Sequence, residues 1–200
     1  MSDVSAASTY PPEQLVAYDS DWVARFEQLA SDLRAALGAA SVVEHIGSTS
    51  VPGLVAKPVI DLAVQLPPGE RLDDHITVWG ELGWSGPHDL GTHRCLFLLE
   101  QNVRHAIAHL FTAEQWQSAH QRLFAAWLRG HDDDRDAYAL LKRTLVASGV
   151  WGQAYTSAKT EFVEAIVDRA RAAQGLDPAP VWDAAATDLV ARSRRLRGQT

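Results

Sequence analysis

Two hundred residues with 46% hydrophobic and 22% charged content can enclose one sizeable core, and the length favours a single domain. Lys plus Arg number 18 against 25 Asp plus Glu, a formal net charge of −7, which argues against a general nucleic-acid surface while leaving room for a local basic pocket. Cys95 is the one cysteine, so neither an internal disulfide nor a cysteine-rich zinc site is available. Residues 1–12 lack a basic start and an apolar core, and no run approaches a membrane span. A soluble, cytoplasmic protein without membrane contacts is therefore expected.

In chain order, residues 1–14 read as a flexible N-terminus. Asp19 or Ser20 can cap a helix whose apolar positions Trp22, Phe26, Leu29, Leu33 and Leu37 recur at three and four residues, and Gly38 stops it. A strand over 41–46, a Gly-Ser turn and a strand over 58–66 follow, closed by Pro67-Pro68-Gly69. Residues 71–82 predict a helix and 83–92 a turn-rich connection. Segments 94–100 and 104–111 pair as a hairpin across Gln101-Asn102. The rest is helical: 113–129, 132–147, 155–173, and a last helix near 181–197 after Asp177-Pro178-Ala179-Pro180. Residues 15–175 form the expected domain and 176–200 a helical tail.

Chemistry concentrates in residues 42–64. Gly47-Ser48 follows a β-branched run and precedes small polar residues, so backbone N–H groups can face an anion unobstructed. Beyond the turn, Asp61 interrupts an apolar strand, where an ionised carboxylate needs a metal, a cation or several hydrogen-bond donors. It either marks a site or accepts N–H bonds from the 47–50 turn and ties two strands together. Lys57, held extended before Pro58, is the cation placed to meet a phosphate carried by Gly47, Ser48 and Thr49.

His45-Ile-Gly-Ser-Thr-Ser-Val-Pro-Gly53 followed by Ala56-Lys-Pro-Val-Ile-Asp61 resembles the hallmark of the GrpB family, a branch of the nucleotidyltransferase superfamily with a polymerase-beta-like fold. Val16-Ala-Tyr-Asp-Ser-Asp-Trp22 with Phe26, then Leu128-Arg129, His131, Tyr138, Leu141-Lys142 and Tyr155-x-x-x-Lys159, extend the resemblance over residues 15–173. It implies an α/β (α+β) fold: a small mixed sheet flanked by helices, a helical C-terminal half, and a cleft between them. Two departures stand out. The superfamily usually places two carboxylates two residues apart on the strand after the turn, one face of which can then hold divalent ions, whereas the second position here is Ala63. Relatives often carry Phe-Arg-Asp where this chain reads Phe124-Ala125-Ala126.

His105 and His109 have the spacing of helical zinc ligands, but on a strand they stand roughly 13 Å apart, too far to share one ion. The superfamily takes a third acidic ligand from a strand beside the aspartate strand. The stretch around His109 falls there, so His109 is a candidate to bind a metal or move a proton opposite Asp61, or else a packed core histidine. Arg94 and Arg104 are candidates for the pocket mouth, with surface salt bridging as the alternative. Tyr155 and Lys159 are expected to face the cleft or bridge to the sheet. Without a glycine-rich dinucleotide turn they do not make a dehydrogenase pair. His131 to Asp134 sits at a helix start, where carboxylates complement the helix dipole. Neither a Walker loop nor a nucleophile elbow is present.

The leading expectation is nucleotide-dependent transfer or ligation on a small polar metabolite. Gly47, Ser48 and Thr49 would hold the phosphates of ATP or another nucleoside triphosphate, Lys57 and Arg94 would offset their charge, and Asp61 would ligate Mg2+ while His45 or His109 assists. Two alternatives remain open: a degenerate domain that binds a nucleotide or phosphometabolite without transforming it, and a nucleotide-independent acid-base enzyme on a carboxylated metabolite.

Overall fold

A computed structural model describes residues 10–11, 15–38 and 40–178. The helix expected near 181–197 lies outside them. Helix α1, Asp21–Leu37, buries Trp22, Phe26, Ala30, Leu33 and Leu37, the stripe its sequence spacing dictates. Strands β1 (Val42–Ile46), β2 (Ile60–Gln65), β3 (Trp84–Asp89), β4 (Arg94–Glu100) and β5 (Val103–Phe111) form one sheet in the order β1-β2-β5-β4-β3. The β2–β5 pair is parallel, with Asp61 beside Ile107 and Ala63 beside His109. The other pairs are antiparallel.

Alternation along each strand divides the sheet into two faces. Ile60, Leu62 and Val64 of β2, with Leu96 of β4 and Ala106, Ala108 and Leu110 of β5, turn to α1 and form the main core. Asp61 and Ala63 of β2 and Ile107 and His109 of β5 turn to the opposite face. Each fully buried Leu or Ile on the α1 side contributes about 1.5–3 kcal/mol, so the strand register is held firmly by that face.

Helix α2, Ile76–Glu81, is shorter than the 71–82 expected, because 72–75 forms a 3-10 turn first. The segment expected as a turn-rich connection contains β3. Its Gly86 and Pro87 coincide with a register shift against β4, and proline is tolerated there because β3 is an edge strand. The predicted helix over 113–129 is broken. Thr112 caps a single turn, α3 (Ala113–Trp116), through a reciprocal bond pair with Gln115. The chain then turns, and α4 runs over His120–Gly130. Helix α5, Asp132–Ala147, matches its expected bounds. The predicted 155–173 helix divides into α6 (Gly152–Ser157) and α7 (Thr160–Ala173), with Lys159 at the N-cap of the latter. Helices α4, α5 and α7 pack together around Leu128, Tyr138, Ala139 and Ile166, and Val51, Leu54 and Val55 of the loop after the Gly-Ser turn enter the same cluster. That loop thereby joins the helical half to the sheet. Among the described residues, no helix is long and apolar enough to cross a membrane.

Candidate functional site

Gly47 takes φ +68° and ψ −174°, a backbone region essentially reserved for glycine. A Cβ there would stand 2.1 Å from Asp61 Oδ2 and 2.8 Å from Asp61 Cβ and Cγ. Glycine thus serves twice: it permits the turn, and it lets the Asp61 carboxylate lie directly against the turn's backbone. Ser50 Oγ donates to Gly47 O at 2.8 Å and closes the turn. From the end of α4, Arg129 donates to Ser50 O at 3.0 Å, to Ser50 Oγ at 2.9 Å and to His45 O. The guanidinium braces the turn from outside.

Beside the turn lies a cavity of about 150 Å³, bounded by Tyr10, Ser48, Thr49, Lys57, Asp61, Lys142, Tyr155 and Lys159, among others. Three lysines from three elements converge on it. Lys57 precedes β2, and its Nζ lies 4.0, 4.2 and 4.9 Å from the ring centroids of Tyr10, Trp151 and Tyr155. Lys142, on α5, is 2% exposed. Its Nζ donates to Ser48 Oγ at 3.0 Å and to Val55 O. Lys159 lies 4.1 Å from the Tyr155 ring centroid. Burial lowers all three ammonium groups: Lys142 to about 6, with Lys159, Arg143 and Lys57 lowering it further; Lys159 to about 7, with Lys57 lowering and Asp61 raising it; Lys57 to about 8, with Asp61 raising and Arg104 lowering it.

His45 does not reach the carboxylate. It pairs with Leu62 on the α1 side of the sheet, stacks on Phe26 with centroids 4.6 Å apart, and meets Thr49 Oγ1 through Nε2 at 3.0 Å. Burial lowers it to about 4, so the ring is neutral. Because Thr49 Oγ1 donates to Val59 O at 3.4 Å, His45 Nε2 carries the proton and donates to Thr49. Its place is that of a prop for the turn.

His109 does share the Asp61 face, its Nε2 3.9 Å from Asp61 Oδ1. His109 Nδ1 is 2.8 Å from His93 Nε2, and His93 Nδ1 is 3.0 Å from Thr92 Oγ1. His93 is buried and lowered to about 3, chiefly by desolvation. His105 is elsewhere, 3.3 Å from Glu100.

Arg94 lies away from the cavity. It alternates with Cys95 and so shares the α1 side with Leu96, pairing with Asp73 at 2.9 Å beside a separate groove of about 660 Å³ at the ends of β2 and β5. Arg104 stays near the cavity mouth, 4.1 Å from the Phe97 centroid and 4.7 Å from that of Tyr10. Asp132 and Asp134 engage Arg135 and Arg169 at 2.7 and 3.0 Å, as residues of a helix first turn.

The donors available for a metal are few. Ala63 is fully buried among Ile46, Phe111, Trp116, Ala119 and Ala125, so apolar packing occupies the place of a second carboxylate. Among the described residues, no group of three or more His, Cys, Asp or Glu side chains is placed to hold an ion. A pair of magnesium ions does not fit this site. A single ion shared between Asp61 and phosphate oxygens does, since magnesium is commonly held by one carboxylate plus substrate phosphates.

Sequence reasoning missed Lys142, His93, Trp151, Tyr10 and Arg129 as parts of the site. For Lys142 a signal existed: it falls on the stripe of Tyr138 and Leu141, where α5 faces the protein interior.

The sheet, the Gly-Ser turn laid against an aspartate on the next strand, and the helical half beside them make a nucleotidyltransferase-like fold. The chain belongs to the GrpB family: the family described as "GrpB protein" matches residues 12–169. A UPF0157 protein of Halalkalibacterium halodurans is 33% identical over 164 residues, 79% of this chain and 82% of that protein. The crystal structure of the conserved protein GrpB from Enterococcus faecalis superposes with a TM-score of 0.70 at 27% identity, covering 80% of this chain and 99% of that one. The Cid1 poly(U) polymerase, in a structure with magnesium and 3'-dATP bound, gives a TM-score of 0.52 at 12% identity over 72% of this chain and 49% of its own. That likeness speaks to the fold alone.

Proposed function

We propose that the protein binds the phosphate chain of a nucleoside triphosphate in the lysine-lined cavity and uses it for transfer onto a small polar acceptor. The observation that carries this is the convergence of Lys57, Lys142 and Lys159, with the Ser48 hydroxyl, on the cavity beside Asp61. Three lysine amines around one carboxylate suit a polyanion, whose arrival favours their protonated form. The cavity, at about 150 Å³, is smaller than the ~300–1,000 Å³ of sites that enclose a drug-sized ligand. It suits the phosphates, with the nucleoside reaching out past Tyr10 and Trp151.

In this scheme Ser48 and Thr49 orient the chain, with Thr49 fixed by His45, and the lysines offset charge that develops on phosphate oxygens during transfer. Asp61 would hold a single magnesium ion, which would supply Lewis-acid polarisation of a phosphoryl oxygen. His109, within 3.9 Å of that carboxylate, would accept the acceptor's proton. The packing of Ala63 in an apolar cluster favours a second reading, in which the nucleotide is bound and sensed but not transformed.

Calorimetry with ATP and magnesium, paired with an assay for pyrophosphate release against a panel of small hydroxyl and amine acceptors, tests both. Binding with release that disappears in Asp61→Asn supports transfer, and binding without release supports the sensor. Absence of ATP binding at millimolar concentration overturns both.

A further inference from the structure

The cavity presents an imbalance of charge within an acidic protein. Among the described residues, Arg71, Arg94, Arg122, Arg135 and Arg169 each meet a carboxylate within ion-pair distance. Among the described residues no carboxylate comes that close to Lys57, Lys142 or Lys159; these amines meet aromatic faces, a hydroxyl and a carbonyl instead. Removing cations from water without an anionic partner is costly. These are the chain's three lysines, and none of the described residues among its 25 Asp and Glu pairs with them, so the cavity is shaped for an anion supplied from outside.

The lysines also stand in the right number for one class of anion. They approach from the loop before β2, from α5 and from the N-cap of α7, so three separate elements each bring an amine to the cavity. Ser48 Oγ, held by Lys142 at 3.0 Å, adds a polar contact. The one carboxylate present, Asp61, is pressed against Gly47 at one edge. A divalent ion would therefore sit at one edge of such an anion, while the lysines could reach the rest of it.

Resting on the phosphate-chain reading above, we infer that the lysine cavity recognises a linear polyphosphate chain by itself, without a divalent ion and without the nucleoside. The lysines do the charge neutralisation that a second metal would otherwise do at the position closed by Ala63. Because burial leaves Lys142 at about 6 and Lys159 at about 7 when the cavity holds no anion, arrival of a polyanion draws protons onto these amines at neutral pH.

The test is calorimetry of the full chain with inorganic tripolyphosphate, orthophosphate and ATP, each in EDTA and in magnesium. Expected are tripolyphosphate binding in EDTA within about threefold of ATP, orthophosphate at least tenfold weaker, and a binding heat that changes with buffer ionisation enthalpy in the sense of proton uptake. Lys159→Met and Lys142→Met should each lose at least tenfold in affinity. Melting curves of the ligand-free variants establish that they are folded. ATP binding that demands magnesium, with tripolyphosphate silent in EDTA, overturns the inference and leaves nucleotide binding intact. Tripolyphosphate binding without any ATP binding does the reverse. Affinities unchanged in both lysine variants also overturn it.

Discussion

Replacing Gly47 with alanine loads two separate costs onto one methyl group. The backbone at φ +68° and ψ −174° lies in a region that non-glycine residues occupy at about 1–3 kcal/mol. The new Cβ would meet Asp61 Oδ2 at 2.1 Å, a collision relieved only by moving the β2 carboxylate or the turn, at about 1–3 kcal/mol for overpacking of this kind. Together these give roughly 4 kcal/mol. With a urea dependence of about 2 kcal/mol per molar, the unfolding midpoint should fall by about 2 M. Gly53→Ala is the control. Gly53 also has a positive φ, +78°, but nothing stands within 4 Å of its Cβ position, so that variant bears only the backbone cost of about 1–2 kcal/mol. Equal midpoint shifts in the two variants would refute the claim that Asp61 packs on the turn.

Lys142→Met should alter how stability depends on pH. The folded amine is lowered to about 6, against about 10.4 for an unfolded lysine. Between those values the unfolded state holds one more proton, and stability rises with pH by about 1.4 kcal/mol per unit. The contribution is therefore complete above the unfolded value and lost progressively as pH falls toward 6. From pH 7 to pH 9 the native chain should gain about 2.7 kcal/mol more than the variant in paired urea titrations, and parallel curves would contradict a neutral buried amine. Two arginines provide a contrast. Arg129→Met, which strips the brace from Ser50 and His45, should cost about 1–2 kcal/mol and weaken tripolyphosphate binding about tenfold. Arg94→Ala, which breaks an exposed pair with Asp73, should cost under about 1 kcal/mol and leave binding unchanged. Calorimetry and melting curves that rank them otherwise would refute their placement on opposite faces of the sheet.

The elements set by short-range pattern were legible in the sequence. The α1 stripe and the β-branched runs of β1 and β2 carry their own periodicity, and the hairpin turn at Gln101-Asn102, both with positive φ, is local chemistry. β3 was not legible, because Gly86 and Pro87 are turn residues everywhere except at a sheet edge. The breaks at 117–119 and 158–159 were hidden for a similar reason. Neither contains a glycine or proline, and each depends on where the flanking side chains go, Trp116 into the Ala63 cluster and Lys159 into the cavity. Within the site, Gly47, Ser48 and Asp61 are adjacent in a motif, whereas Lys142 is recognisable only once α5 has a buried face. Arg94 illustrates the opposite error: its alternation with Cys95 and Phe97 already set it on the far face, and charge type alone suggested otherwise.

The bond from Lys142 to Ser48 spans 94 residues, and that from Arg129 to His45 spans 84. At the ~5–20 residues per second of ribosomal synthesis, the turn leaves the ribosome roughly 5–20 s before Lys142, and Lys159 follows later still. Until then the nascent chain carries Asp61 and Ser48 with Lys57 alone of the three cavity lysines. The two halves of the pocket therefore mature at different times, and a nascent chain halted before α5 carries one of the three lysines that line the finished cavity.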